Sequence, residues 1–238
     1  MNPVARAQVY RFLAEAFLYP RDLWTEDLPL LAEILDRLGL PDGLRDVPVP
    51  PDLESLQSEH RRTFGATGSL TYETECGIPN EFQQSQELAD IAGFYRAFGL
   101  QVGGEVRERP DHIAVELDFM HVVALKEAYA LDRGLTEQAE VCLDAQRAFL
   151  RDHLARWIAP FAEAVSRLEA VVPGAPGPES LYPRLARLAQ RFVLADAERL
   201  GIRPEERPLA GLRATPEPPD LDCEACPIAG SHGAAVEG

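Results

Sequence analysis

The sequence predicts an all-α protein: a single-domain helical bundle of about eight helices, followed by an irregular proline-rich tail. Three observations predict it. Apolar residues recur at three- and four-residue spacing in segment after segment. No run alternates apolar and polar residues beyond a few positions, so no half-buried strand is expected. Prolines and glycines fall between the periodic segments, where they start or stop helices. No internal repeat is visible.

A first helix is expected from about Pro3 to Tyr19, with Asn2 as N-cap, Pro3 at the first helical position and Pro20 as its stop. Val9, Phe12, Leu13, Ala16 and Phe17 supply its apolar face. A second runs from about Asp27 to Leu38 and ends at Gly39; Pro29 is tolerated because it falls in the first turn. Four prolines mark residues 40–51 as a linker. The third helix, from about Asp52 to Phe64, puts Leu53, Leu56, His60 and Phe64 in phase. Residues 65–79 then form a long irregular segment, a length that tends to be functional or mobile.

The fourth helix is expected from about Asn80 to Phe98 and the fifth from Pro110-Asp111-His112 to about Leu131. A sixth starts near Thr136 and carries Cys142, Leu143, Phe149, Leu150, Leu154 and Trp157 before Pro160 breaks or kinks it. A seventh continues through Phe161, Val165 and Leu168. Residues 172–178 read as a linker, and the last helix holds Leu181, Leu185, Leu188 and Phe192. Past Gly201 the pattern collapses, with six of the chain's 20 prolines in the tail. Residues 1–200 are therefore expected as the helical domain and 201–238 as an extended or disordered tail.

The net charge of −16 argues against nucleic acid, whose binding needs cationic side chains to displace counterions from phosphates. An acidic surface suits a basic partner, although charge alone also keeps a protein in solution. The N-terminal residues have no apolar core after a charged region, and no stretch approaches the roughly 20 apolar residues that span a bilayer. Four cysteines do not make a disulfide scaffold, so a cytoplasmic location without membrane insertion is expected. Enzyme fingerprints are missing too. There is no glycine-rich phosphate loop after a strand, no Gly-x-Ser-x-Gly and no His-Glu-x-x-His.

The most unusual stretch runs from Glu108 to Met120, Glu-Arg-Pro-Asp-His-Ile-Ala-Val-Glu-Leu-Asp-Phe-Met. Asp111 is expected in the first turn of the fifth helix, where an acid suits the positive end of the dipole. His112 and Glu116 are four apart and share a face, so they can pair. A capped helix with a surface His–Glu pair is the plain structural alternative.

This run, with Ala89 to Leu100 before it, resembles the core signature of the TorD/DmsD/NarJ family of molybdoenzyme assembly chaperones. Glu59-His60-Arg61-Arg62-Thr63-Phe64 resembles the family's segment before its glycine-containing loop, and Tyr72-Glu73-Thr74-Glu75 the acidic-aromatic loop that follows. The likeness covers roughly residues 5–200 and is nearest to the branch serving dimethyl-sulfoxide-reductase-superfamily respiratory enzymes. It implies an all-helical, non-catalytic cytoplasmic protein, monomeric or a domain-swapped dimer, with residues 65–79 and 172–178 as hinges. It implies binding to the apo catalytic subunit of a molybdopterin oxidoreductase, to its twin-arginine signal peptide, or to both, delaying export until the cofactor is inserted. Asp111 and His112 match positions implicated in signal-peptide binding, and Tyr72, Glu73 and Glu75 lie in the matching loop. Cys76 stands where many relatives carry tyrosine. Carboxylates grip guanidinium forks bidentately, which makes Glu73, Glu75, Asp111 and Glu116 candidates for holding the arginines.

A second constellation is Cys223-Glu-Ala-Cys226, with His232 six residues on. Two thiolates at this spacing and a histidine suit zinc or an iron–sulfur group, but a closed site needs four ligands. Cys76 and Cys142 could complete it only if the fold brought the tail to them. A thiol-redox role and a tail with two spare thiols are the alternatives. No cofactor is required by the chaperone reading. His60, His121 and His153 are expected to be structural, and Trp24 and Trp157 to be core or groove residues. A structural accessory subunit of a helical complex is a third functional reading.

Overall fold

A computed structural model of the chain describes residues 2–40, 44, 46–65, 70–76, 81–103, 108–172 and 174–207. Among these residues there are eight α-helices and no strand. Helix α1 (Pro3–Phe17) begins where the Asn2 side chain accepts the Val4 N–H at 2.8 Å and the Ala5 N–H at 3.3 Å. It stops two residues before the expected Tyr19, because Leu18 is already extended ahead of Pro20. A 3-10 turn at Trp24–Asp27 leads into α2 (Leu28–Leu38), which Gly39 closes at φ 73°. That left-handed conformation costs a glycine nothing sterically and lets its N–H bond back to the last turn. Helix α3 (Leu53–Phe64) is capped by Asp52, which accepts the Ser55 N–H at 2.8 Å. Then come α4 (Glu81–Ala97), α5 (Ile113–Asp132), α6 (Thr136–Phe149), α7 (Ala155–Ser166) and α8 (Leu181–Arg199).

The long helix α5 lies between α1 and α6, and α7 packs on α8. Tyr10, Leu13 and Phe17 of α1, Leu117, Met120 and Val123 of α5, Trp157 and Phe161 of α7, and Leu185, Leu188 and Phe192 of α8 are all buried in one contiguous core. Each such side chain contributes roughly 1.5–3 kcal/mol when removed from water. Edge-to-face rings knit it further, with Tyr10 and Phe192 centred 4.7 Å apart.

Two expectations are corrected. Pro160 does not break the chain; α7 continues through it. The irregularity lies upstream, where Leu150–Leu154 form one π-helical stretch that joins α6 to α7. Proline has no N–H to offer the carbonyl four residues back, which belongs to Arg156. That carbonyl instead accepts the backbone N–H of Arg207 at 2.9 Å. The start of the tail, residues 202–207, forms neither helix nor strand and meets α7 there. The second correction concerns the start of α5 and belongs to the site below.

Arg6 carries a buried charge in the core that the apolar pattern of α1 does not reveal. Fully buried, it reaches Glu127 of α5 at 3.1 Å and Asp196 of α8 at 2.9 Å, and it donates to Gln146 of α6. The Tyr10 hydroxyl donates to the same Asp196 at 2.9 Å. One guanidinium therefore ties four helices together.

Candidate functional site

The site is built where residues 71–76 meet the start of α5. Tyr72 and His112 form an isolated antiparallel bridge. The Glu73 N–H donates to the Asp111 carbonyl at 2.9 Å, and the Ile113 N–H donates to the Thr71 carbonyl at 2.9 Å. This pairing holds His112 extended, at φ −74° and ψ 136°. Helix α5 consequently begins at Ile113, not at Pro110-Asp111-His112, and Asp111 precedes the cap instead of sitting in the first turn. The cap is the His112 ring, whose Nδ1 accepts the Ala114 N–H at 3.1 Å. An accepting nitrogen requires neutral imidazole. Burial, with repulsion from His60 behind it, pushes the His112 pKa down to about 3.

Asp111 is the centre of the knot. Completely buried, it accepts from the Thr74 hydroxyl at 2.7 Å and the Thr74 N–H at 3.3 Å. Arg109 forks onto its two oxygens, Nε to Oδ1 at 3.0 Å and a terminal nitrogen to Oδ2 at 2.8 Å. The same guanidinium also reaches the Thr74 hydroxyl at 2.7 Å and pairs with Glu75. Its carbon stands 4.5 Å from the centre of the Tyr72 ring, in cation–π range. The Tyr72 hydroxyl donates to Glu108 at 2.8 Å; burial and that hydrogen bond push its pKa up to about 12. Tyr95 of α4 holds the entry of α5 by donating to the Pro110 carbonyl at 2.7 Å.

A second layer lies under this knot. Glu73 is fully buried and meets three groups: His153 Nδ1 at 3.2 Å, an Arg207 nitrogen at 2.6 Å, and the Glu116 carboxyl. Glu116 takes the Trp157 indole N–H at 3.0 Å on one oxygen, while its other oxygen meets no donor. Burial first, and the Glu73 charge second, raise the Glu116 pKa well above the carboxylate range. A protonated Glu116 donating to Glu73 satisfies both. His153 bridges Glu73 to Asp90, 3.1 Å from its Nε2. Burial opposes its charge, but these two carboxylates outweigh that and raise its pKa. Arg207 also forks onto Glu87 of α4, at 2.9 and 3.1 Å.

All six of the predicted residues therefore meet in one place. Tyr72, Glu75, Asp111 and His112 lie in the knot, and Glu73 and Glu116 in the layer beneath it. His112 and Glu116 share the expected face but are both buried, and Glu116 bonds Trp157. Glu73, Asp111, His112 and Glu116 are buried; Tyr72 and Glu75 keep part of their surface in water. Alongside the knot opens a cleft of about 260 Å³, lined by Tyr19, His60, Arg61, Phe64, Tyr72, Glu108 and His112 among others. Sequence reasoning passed over Arg109, Thr74, His153, Glu87 and Arg207. The signal for Arg109 was its place two residues before Asp111, inside the motif; Arg207 carried no local signal.

Among the described residues no group of histidines, cysteines and acids could hold a metal ion. Cys76 is half-buried and burial pushes its thiol up to about 11, which keeps it protonated; Cys142 is buried. Cys223, Cys226 and His232 lie outside the described residues. No helix among those described is long and apolar enough to cross a membrane.

The sequence pattern of the nitrate reductase delta subunit family matches residues 24–163, which holds both halves of the knot. The chain belongs to that family. Within it, the chain is similar to the chlorate reductase assembly chaperone of Ideonella dechloratans, 30% identical over 210 residues, 86% of this chain and 94% of that one. It is 29% identical over 212 residues to the selenate reductase assembly chaperone of Thauera selenatis, covering 88% and 95% of the two chains. The chaperone TorD of one Vibrio cholerae strain matches at 30% over 123 residues, about half of each chain. These relatives bear out the resemblance to the TorD/NarJ assembly chaperones, a family that is not catalytic.

Proposed function

We propose that this protein is a cytoplasmic assembly chaperone that holds the immature catalytic subunit of a molybdopterin oxidoreductase until its cofactor is in place. The observation that carries the reading is the convergence of the 71–76 strap and the α5 entry on one partly open cleft. In a family of assembly chaperones, such a cleft is the natural place for the client. Tyr72 and Glu108 present an aromatic face and a carboxylate there, and the part-exposed Glu75, paired with Arg109, lies three residues along the same strap, chemistry that suits an arginine followed by apolar residues. Glu73, Asp111, His112 and Glu116 act differently: they hold the strap against α5 and set where the accessible groups point. A twin-arginine signal peptide has the matching chemistry and is the segment we assign to the cleft.

The test is capture from cells of the source organism, using the full chain as bait. Recovery of a catalytic subunit free of molybdenum is expected. The double variant Tyr72→Ala/Glu75→Gln should lower the yield severalfold while leaving the circular dichroism spectrum unchanged. Deleting the client's signal peptide should do the same. Capture of mature, molybdenum-loaded enzyme would instead identify an accessory subunit, and failure to recover any molybdoenzyme subunit would remove the chaperone reading.

A further inference from the structure

The tail beyond α8 does something that neither the helical pattern nor family membership accounts for. After Gly201, residues 202–207, Ile-Arg-Pro-Glu-Glu-Arg, form neither helix nor strand and meet α7 at Arg156. Two kinds of contact hold the last of them. The Arg207 backbone N–H fills the hydrogen bond that Pro160 leaves open at the Arg156 carbonyl, 2.9 Å away. Its guanidinium enters an acidic recess, 2.6 Å from Glu73 and 2.9 and 3.1 Å from the two oxygens of Glu87. Only 11% of the side chain remains exposed. The Arg156 guanidinium reciprocates by donating to the Glu205 carbonyl at 3.3 Å.

These are the features of a peptide-binding site: an open backbone acceptor on a rigid helix, and a carboxylate pair shaped for one planar fork. The acceptor is a consequence of Pro160 and belongs to α7 whether or not the tail is there. Glu73 sits fully buried at the bottom of the recess. Without a guanidinium, that carboxylate would keep only His153 and Glu116 as partners. With Glu87 at its mouth the recess thus has room and charge for a guanidinium beside His153, and the tail supplies one.

We propose that the Glu73/Glu87 recess beside Pro160 is a binding site for an extended, arginine-bearing peptide segment, that Arg207 is its resident occupant, and that an arginine-bearing segment of a bound protein exchanges with it. The identity of the exchanging segment rests on the chaperone reading; the site and its occupant do not. The exchange links two places. Glu73 belongs both to the recess and to the strap at residues 71–76, so leaving or filling the recess is felt at the cleft where the strap meets α5.

The probe is a fluorescent synthetic peptide with the sequence of residues 202–207, used with the full-length chain. The unmodified protein should bind it weakly, since its own tail competes at an effective concentration in the millimolar range. Arg207→Ala should bind it roughly tenfold more tightly or better, because that competition is gone. Adding Glu87→Gln to Arg207→Ala should abolish the gain, as should a peptide with citrulline at its last position. In the unmodified protein, millimolar unlabelled peptide should speed deuterium uptake over residues 202–207, a readout that needs no variant. Equal affinity for the unmodified and Arg207→Ala chains, or uptake unchanged by peptide, would overturn the proposal. So would a dimer of the unmodified chain that Arg207→Ala dissolves, because the occupant would then be a second copy. Peptide binding without client capture, or capture without peptide binding, separates this inference from the chaperone reading.

Discussion

Glu116 shows how one side chain can be both within a motif and out of reach of a ligand. Four residues from His112 it has the spacing for a pair, yet it is fully buried and faces the Trp157 indole on one side and Glu73 on the other. Two carboxylates in contact cannot both ionise in a dry site, and the raised pKa of Glu116 marks it as the one that keeps its proton. The sign of the pH effect follows. The folded chain keeps this proton, while the unfolded chain releases it above about pH 4.3. The folded state thus binds more protons there, and its stability falls as pH rises from that point towards the folded pKa. Glu116→Gln keeps an acceptor for Trp157 and a donor for Glu73 and has nothing to titrate. Its stability relative to the unmodified chain should therefore climb with pH above about 4.3. Urea unfolding of both proteins at pH 4, 6 and 8 checks this; a difference that does not change with pH would show that Glu116 is ionised in the fold.

At the scale of elements, α7 and the tail segment share one hydrogen bond that proline made available. Replacing an interior proline with alanine ordinarily stabilises a helix by roughly 3 kcal/mol. Here the Arg156 carbonyl already has the Arg207 N–H, so Pro160→Ala should gain less than about 1 kcal/mol. The new Ala N–H competes for that carbonyl, so deuterium uptake over residues 202–207 should rise. A full gain with unchanged uptake would mean that the tail contact contributes nothing. The entry of α5 teaches a similar lesson. Pro-Asp-His looked like a helix start because proline suits a first turn and aspartate suits the dipole. The pairing of Tyr72 with His112 overrode both preferences and moved the start to Ile113. Local propensity has no access to a partner strand segment forty residues away.

Across the whole molecule, Arg6 is the group whose loss should be felt most. Its removal leaves Glu127 in the core without a cation and Asp196 with Arg199 alone, and breaking a buried pair in this way typically costs about 3–5 kcal/mol. Arg6→Ala should lower the unfolding free energy by about that amount. A loss below about 1 kcal/mol would show that water reaches the network. Arg6 also marks how far the sequence could be read. Helical spacing located most helices to within a few residues, because that spacing is set by the burial of one face, but it put the joint between α6 and α7 at Pro160 and not at Leu150–Leu154. The family motif located the strap and the α5 entry. Neither signal names a partner 190 residues away in the chain, as Asp196 is for Arg6, or 134 away, as Glu73 is for Arg207. For the same reason Glu73 and Asp111 read as carboxylates awaiting a partner's arginines, while the arginines beside them in the fold, Arg207 and Arg109, belong to the protein itself.

The π-helical stretch at Leu150–Leu154 has a further consequence. Each residue of an α-helix advances the direction of its side chain by about 100°. One wide turn slips that count, so α6 and α7 form a nearly continuous rod whose two halves are out of step. The first half aims Gln146 at Arg6, and the second aims His153 and Trp157 at Glu73 and Glu116. In a regular helix His153 and Trp157, seven and eleven residues beyond Gln146, would fall within about 20° of its direction. The wide turn sets them round the axis from it, so one piece of backbone meets the Arg6 anchor and the Glu73–Glu116 pair at two different angles.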